Sequence, residues 1–187
     1  MFISRTPYRL SFYGGSLDYK EWYEKKPVRI ICAGLNYYCY QSVRILPSFF
    51  DFKYRICYSI VENAKNLNNI KHPTAREILR KYGKDRALEI SYTGDLPSKS
   101  GIGSSSAFTV GLINCMNALN NKYLGRTELA MEAINLESAI VKEKVGIQDQ
   151  CASAFGGLIL IDADKKNIRP RKLLVDPEYL NYLQDNL

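Results

Sequence analysis

Apolar and polar positions change their period along the chain, and each change marks a different kind of element. Tyr8 to Tyr13 is short and aromatic-rich and stops at Gly14-Gly15, so it reads as a strand closed by a turn. Val28 to Leu46 is rich in Ile, Val and Tyr. Within it Leu35, Tyr37, Cys39, Gln41, Val43 and Ile45 alternate with the opposite face, the period of a strand. Asp51 to Ile60 reads as another strand. Thr74 to Tyr82 reads as a helix, with His72-Pro73 before it and Gly83 after it. Ala87 to Thr93 returns to strand character.

From Ser104 to Leu119 apolar residues recur almost all round, which predicts a buried helix. A second helix is predicted from about Glu128 to Lys142, capped by Thr127. Gly156-Gly157 leads into Leu158-Ile159-Leu160-Ile161, short enough for a buried strand. The dense basic stretch Lys165 to Lys172 reads as a solvated loop. There is no internal repeat and no low-complexity tract. Strands followed by helices, with few strict β–α alternations, predict an α+β or mixed α/β layered domain.

Composition narrows this picture. The 187 residues, 46% hydrophobic, suffice for one core of ordinary size. No run of eighteen apolar residues occurs, so no transmembrane helix is expected. Met1 to Pro7 lacks the layout of a signal peptide. The five cysteines are odd in number and form no CxxC pair, which argues against a disulfide framework or zinc site and fits a reducing cytoplasm. The net charge of +7 raises nucleic-acid binding, but the basic residues are scattered and no aromatic–basic signature appears. No nucleic-acid partner and no membrane is expected; a basic surface also suits anionic small molecules. His72 is the one histidine and reads as a surface residue just before a helix. Any general base must then come from Asp, Glu, Lys or Tyr.

The chemistry centres on the loop Leu96 to Ser106. Gly101 and Gly103 let the main chain approach a ligand, and Ser104, Ser105 and Ser106 sit at a helix start. Unpaired backbone N–H groups and the helix dipole favour an anion there. The loop is neither a Walker A sequence nor GxGxxG. Alone it is equally a flexible loop with a serine helix cap. Glu137 falls on the apolar stripe Ala130, Ala133, Ile134, Ile140 and Val141 of the second helix. A carboxylate on a buried face needs a partner, either a metal or a lysine such as Lys142 or Lys144. Asp149 follows Gly146 and by itself is a helix cap.

Three motifs together resemble the galactokinase–homoserine kinase–mevalonate kinase–phosphomevalonate kinase (GHMP) superfamily. Pro97-xxx-Gly101-Ile102-Gly103-Ser104-Ser105-Ser106-Ala107 is similar to its P-x-x-x-G-L-G-S-S-A-A motif, with Ile102 for Leu and Ser106 for Ala. Val145-Gly146-Ile147-Gln148-Asp149-Gln150 resembles the V/C-G-I-M-D-Q segment of galactokinase-like members. Thr6 to Tyr19 resembles the first motif, with Arg9, Gly14-Gly15, Asp18 and Tyr19 in place, though Ser16 and Leu17 depart from it. Finer wording, such as Ile70-Lys71-His72-Pro73 and Gln148-Asp149-Gln150, looks like bacterial D-glycero-D-manno-heptose 7-phosphate kinases.

The resemblance implies an α+β domain of the ribosomal protein S5 domain 2-like kind over residues 1–187, a mixed sheet with helices packed on it. It implies that ATP binds through Pro97, Ser100, Gly101, Gly103, Ser104, Ser105 and Ser106, with Mg2+ on Ser105 and Glu137. Asp149 would be the catalytic base, Arg9 would balance charge on the transferred phosphoryl group, and Asp18, Gly15 and Tyr19 would contact a sugar or sugar phosphate. The expected reaction is phosphorylation of a sugar anomeric hydroxyl, that of D-glycero-D-manno-heptose 7-phosphate foremost. A fucose- or galactose-type sugar kinase, or an inactive nucleotide-binding remnant, are the alternatives. Family members carry a second, ferredoxin-like carboxy-terminal domain, expected to be absent here. Weak or absent activity of the chain alone, and self-association through the surface so exposed, are expected in consequence.

Overall fold

The computed structural model describes residues 1–97, 100–140 and 145–185. Seven strands form one mixed sheet: β1 (Phe2–Tyr13), β2 (Val28–Ile45), β3 (Tyr54–Cys57), β4 (Val61–Ala64), β5 (Leu88–Gly94), β6 (Gly157–Ala163) and β7 (Ile168–Lys172). The order is β4-β3-β5-β2-β6-β7, with β1 also paired to β2; β3 runs parallel to β5 and every other pair is antiparallel. The helices are α1 (Lys20–Tyr23), α2 (Pro73–Tyr82), α3 (Ser104–Leu119), α4 (Arg126–Asn135), α5 (Gln148–Phe155) and α6 (Pro177–Asp185).

The long strand β2 organises the sheet. It pairs with β1 over most of its length, with β6 through its first half and with β5 through its second. Its buried positions are Ile30 and Cys32, then Cys39, Gln41 and Val43. The switch from even to odd numbers shows that the period of two slips once between the halves. The β1 register shifts there too, from Pro7 against Tyr38 to Arg9 against Gly34. Of the alternating set read from the sequence, Cys39, Gln41 and Val43 are buried, whereas Tyr37 is 53% exposed.

Helix α3 lies across β1 and β2 and fills the larger core with Phe108, Leu112, Ile113 and Met116. A smaller core joins Ile30, Cys32, Ile159 and Ile161 of the sheet to Ala130 and Ile134 of α4 and Cys151 of α5. Gly111 in the middle of α3 has a packing reason. A Cβ there would collide with the amide of Gln41 and the hydroxyl of Thr6. Gln41 is fully buried; it accepts from Ser4 Oγ at 2.8 Å and donates to the Phe108 carbonyl at 3.3 Å.

Several sequence expectations need correction. The strand expected over Asp51 to Ile60 is a hairpin, β3 and β4, because the chain turns at Tyr58, whose N–H donates to the Ile60 carbonyl. The loop expected over Lys165 to Lys172 includes β7, an edge strand that points Arg169 and Arg171 outward and buries Pro170. Helix α4 starts one turn-fraction earlier than expected, capped at Gly125, where the Glu128 carboxylate accepts the Gly125 N–H at 2.8 Å. It gives way at Leu136–Ile140 to a π-helical turn, and Val141 and Lys142 of the expected helix lie outside the described residues. His72 is not a plain surface residue. It caps α2 by accepting the Ala75 N–H on Nδ1 at 3.3 Å and stacks on Phe108 at 4.7 Å.

Candidate active site

Three segments far apart in sequence meet at one end of the sheet. Arg9 on β1 is the hinge between them. Its Nε donates to Asp149 Oδ1 at 2.5 Å, its Nη1 donates to the Gly101 carbonyl at 3.3 Å, and its backbone N–H donates to the Ile102 carbonyl at 2.9 Å. Both side chains of the ion pair are about one-fifth exposed, 17% for Arg9 and 22% for Asp149, so they sit at the mouth rather than in the core. Ser153 Oγ of α5 donates to the Pro7 carbonyl at 3.1 Å and fastens α5 to β1 on the same side.

The glycine/serine loop joins β5 to α3. Its base is closed by Asp95, which accepts the Tyr38 N–H at 2.7 Å and donates its own N–H to the Tyr38 carbonyl at 2.9 Å. Ser100 Oγ donates to the Pro97 carbonyl at 2.6 Å and tightens the turn; Ser98 and Lys99 lie outside the described residues. Gly101 and Gly103 both have positive φ, +75° and +73°. Gly103 stands at the N-cap of α3 and supplies no side-chain cap, so the first N–H groups of α3 are left to the open side. A Cβ at Gly103 would come within 3.1 Å of Asp149 Oδ2. The acid therefore stands directly over the helix start, where an anion is favoured.

Behind the loop the three serines divide. Ser105 is exposed, whereas Ser106 is buried and donates to Glu137 Oε2 at 2.9 Å. Gln150 Nε2 donates to the same carboxylate oxygen at 2.5 Å and to Ser106 Oγ at 3.1 Å. Glu137 is 1% exposed, as its place on the apolar stripe required. The hydroxyl that meets Glu137 is thus that of Ser106, one residue beyond Ser105. Glu137 lies in the π-helical turn after α4, a local rewinding that recurs at functional sites. Lys142 and Lys144, the alternative partners, lie outside the described residues.

On the other side of Asp149 is a cleft of about 390 Å3. Arg9, Ser11, Gly15, Asp18, Tyr19 and Gln148 border it together with Asp149. Asp18 is 2% exposed. The turn before it is tight: Gly14 has φ +82°, and Leu17 N–H donates to the Gly14 carbonyl at 3.2 Å. Asp18 Oδ2 accepts the Gln148 N–H at 3.3 Å, and its carbonyl accepts the Ile147 N–H at 3.2 Å. Burial raises the Asp18 pKa above the usual range; the Gln148 N–H opposes this and the nearby Asp149 charge adds to it. A Cβ at Gly146 would fall inside the Asp18 carboxylate, so any larger residue there must displace Asp18 or the start of α5.

The structure thus brings Arg9, Asp18, Gly15, Tyr19 and Asp149 to one cleft, with the loop on the far side of the Arg9–Asp149 pair. Sequence reasoning missed Ser11 and Gln148 as parts of it, and Gln150 as a partner of Glu137 behind the loop. Gln150 shows only as a buried polar residue on α5, a helix whose polar first turn hid it from any periodicity.

Residues 68–157 match the family model described as the GHMP kinases N terminal domain. Among curated proteins, D-glycero-alpha-D-manno-heptose 7-phosphate kinase of Campylobacter jejuni is 28% identical over 166 residues, 82% of this chain and 48% of the relative. A galactokinase of Chloroflexus aurantiacus is 26% identical over 181 residues, 90% of this chain and 45% of the relative. The chain therefore spans about half the length of these curated relatives. Among solved structures, a D-glycero-D-manno-heptose 1-phosphate kinase from Bacteroides thetaiotaomicron superposes with a TM-score of 0.83 at 21% identity, covering 93% of this chain and 60% of that one. At that identity the likeness shows the fold, a mixed sheet with helices packed on it.

Proposed function

We propose, for a chain that carries the GHMP kinase N-terminal domain, that it serves ATP-dependent phosphorylation of a sugar anomeric hydroxyl. The observation that carries this is Asp149, held by Arg9 at 2.5 Å between an α3 helix start with no side-chain cap and a polar cleft. The nucleotide phosphates sit on the loop side, against Gly101, Gly103, Ser104 and Ser105, with Pro97 and Ser100 shaping the turn. The sugar sits on the cleft side, against Asp18, Gly15 and Tyr19.

Asp149 takes the proton of the acceptor hydroxyl as its oxygen forms a bond to the γ-phosphorus. The bond from that phosphorus to the bridging oxygen breaks, and ADP leaves with the electron pair. Arg9, tied to Asp149 and to the loop at once, keeps acid and phosphates in register and balances developing charge. Glu137 offers a carboxylate and Ser105, next to the Ser106 that meets Glu137, an exposed hydroxyl; these are hard oxygen donors of the kind Mg2+ prefers, although Ser106 and Gln150 Nε2 already donate to Glu137 Oε2. Mg2+ held by Glu137 and the Ser105 hydroxyl would neutralise charge on the β- and γ-phosphates. Soluble, cytoplasmic work on a small molecule fits the chain; among the described residues no helix is long and apolar enough to cross a membrane.

D-glycero-D-manno-heptose 7-phosphate is the favoured acceptor, because the relative of that name aligns over 82% of the chain. Galactose is the second candidate, since a galactokinase aligns over 90% of it. The test is single-turnover transfer of label from [γ-32P]ATP, with protein in excess over nucleotide, to each sugar in turn. Label is expected on the anomeric oxygen of one of them, and Asp149→Asn should slow its appearance by about 10²–10⁴-fold. Equal rates for wild type and Asp149→Asn would remove Asp149 as base. Nucleotide binding with no transfer to any sugar would favour the alternative of an inactive nucleotide-binding remnant for this chain.

A further inference from the structure

The cleft contains a second acceptor that none of the motif assignments uses. Gln148 is the first residue of α5, one position before Asp149, and is 6% exposed. Its amide oxygen Oε1 is buried and has no hydrogen-bond partner among the described residues. Asp18 Oδ1 is in the same condition. Both residues border the same cleft, and the Gln148 backbone N–H already binds the other Asp18 oxygen. A buried acceptor without a donor is destabilising, and such groups in native proteins generally find a partner. Here two of them belong to residues that border one polar cavity beside the proposed base, each atom itself being shielded from solvent. The matching ligand is one that carries several O–H donors on neighbouring carbons.

We propose that Gln148 is a specificity-determining residue whose amide oxygen receives one hydroxyl of a polyol acceptor, while Asp18 receives another. This rests on the sugar-kinase reading of the cleft. The backbone of α5 makes the assignment geometrically economical. One helical start presents Asp149 to the reacting hydroxyl and Gln148 to a second one, so the two contacts are rigidly linked. The galactokinase-like segment quoted above has methionine at this position, a side chain of similar length without the amide oxygen. The choice of residue here therefore selects among sugars by the hydroxyl it can satisfy.

Equilibrium binding to the 187-residue chain tests this without requiring turnover. The probes are D-glycero-D-manno-heptose 7-phosphate, D-galactose and the monodeoxy analogues of each, read by saturation-transfer NMR and calorimetry. The wild-type chain should bind one parent sugar and lose about 10- to 100-fold in affinity when either of two hydroxyls is deleted. Gln148→Met should bind the parent more weakly and become indifferent to one of those two deletions while remaining sensitive to the other. Gln148→Glu, which keeps an acceptor oxygen, should restore the lost discrimination. A Gln148→Met chain that binds the parent as wild type does, or that loses the same factor for every analogue, overturns the proposal and leaves the kinase reading standing. If Gln148→Met does not fold, Gln148→Glu and the wild-type deoxy series decide the point: sensitivity to only one hydroxyl overturns it. No binding of either parent sugar overturns both readings together. Because affinity rather than rate is read, a failure of Asp149 as base leaves the result unaffected.

Discussion

Gly146 illustrates how one backbone position governs the site at the scale of single residues. The space its missing side chain leaves is occupied by the Asp18 carboxylate. Gly146→Ala forces Asp18 or the start of α5 to move, and overpacking of this kind costs about 1–3 kcal/mol. Urea unfolding should show that loss, together with abolished sugar binding; unchanged stability with unchanged binding would mean that the carboxylate has room to move. At this scale the sequence was legible only in part. Arg9 and Asp149 are 140 residues apart, and no local pattern links them; the motif resemblance brought them together. Gln148 entered only as part of the motif segment Gln148-Asp149-Gln150, because a polar residue in a short polar helix start shows no period of its own. Glu137 did carry one, since a charge on an apolar stripe must be answered by a partner, and Ser106 and Gln150 answer it.

At the scale of elements, the buried helix α3 has the bounds that its all-round apolar pattern indicated. Long, strongly patterned segments declare themselves. Short ones do not: β4 reads Val-Glu-Asn-Ala, and α5 opens with Gln-Asp-Gln, so neither shows a period that survives the demands of the site. The start of α2 makes a pH-dependent element. Burial holds His72 below its ordinary pKa, against the pull of Glu62, and its Nδ1 accepts the Ala75 N–H only when unprotonated. The unfolded chain then takes up the proton at a higher pH than the folded one. Stability contributed by neutral His72 is complete above the unfolded value of about 6.5 and is lost as pH falls through the lower folded value. His72→Asn keeps a capping acceptor and removes the titration. Thermal midpoints of wild type should fall more steeply than those of His72→Asn between pH 7 and 5; parallel curves would contradict the assignment.

At the scale of the whole molecule, the sheet exists to hold three distant segments in register. β1 supplies Arg9 and the turn to Asp18, the β5–α3 connection supplies the loop, and α5 supplies Asp149 and Gln148. An α+β or mixed α/β layered domain was legible from strands giving way to helices, whereas the mixed sheet with helices packed on it came with the motif resemblance, whose family pattern the match over residues 68–157 bears out. The strand order was not, because pairing between β2 and three partners depends on contacts that no local period encodes. The most direct test is a backbone amide NMR titration of the chain with a non-hydrolysable ATP analogue and Mg2+. Saturable shifts should concentrate at Gly101 to Ser106 and at the Arg9 Nε–H that joins Asp149. Saturation that leaves those resonances in place, or no binding at all, would contradict a phosphate cradle at this loop.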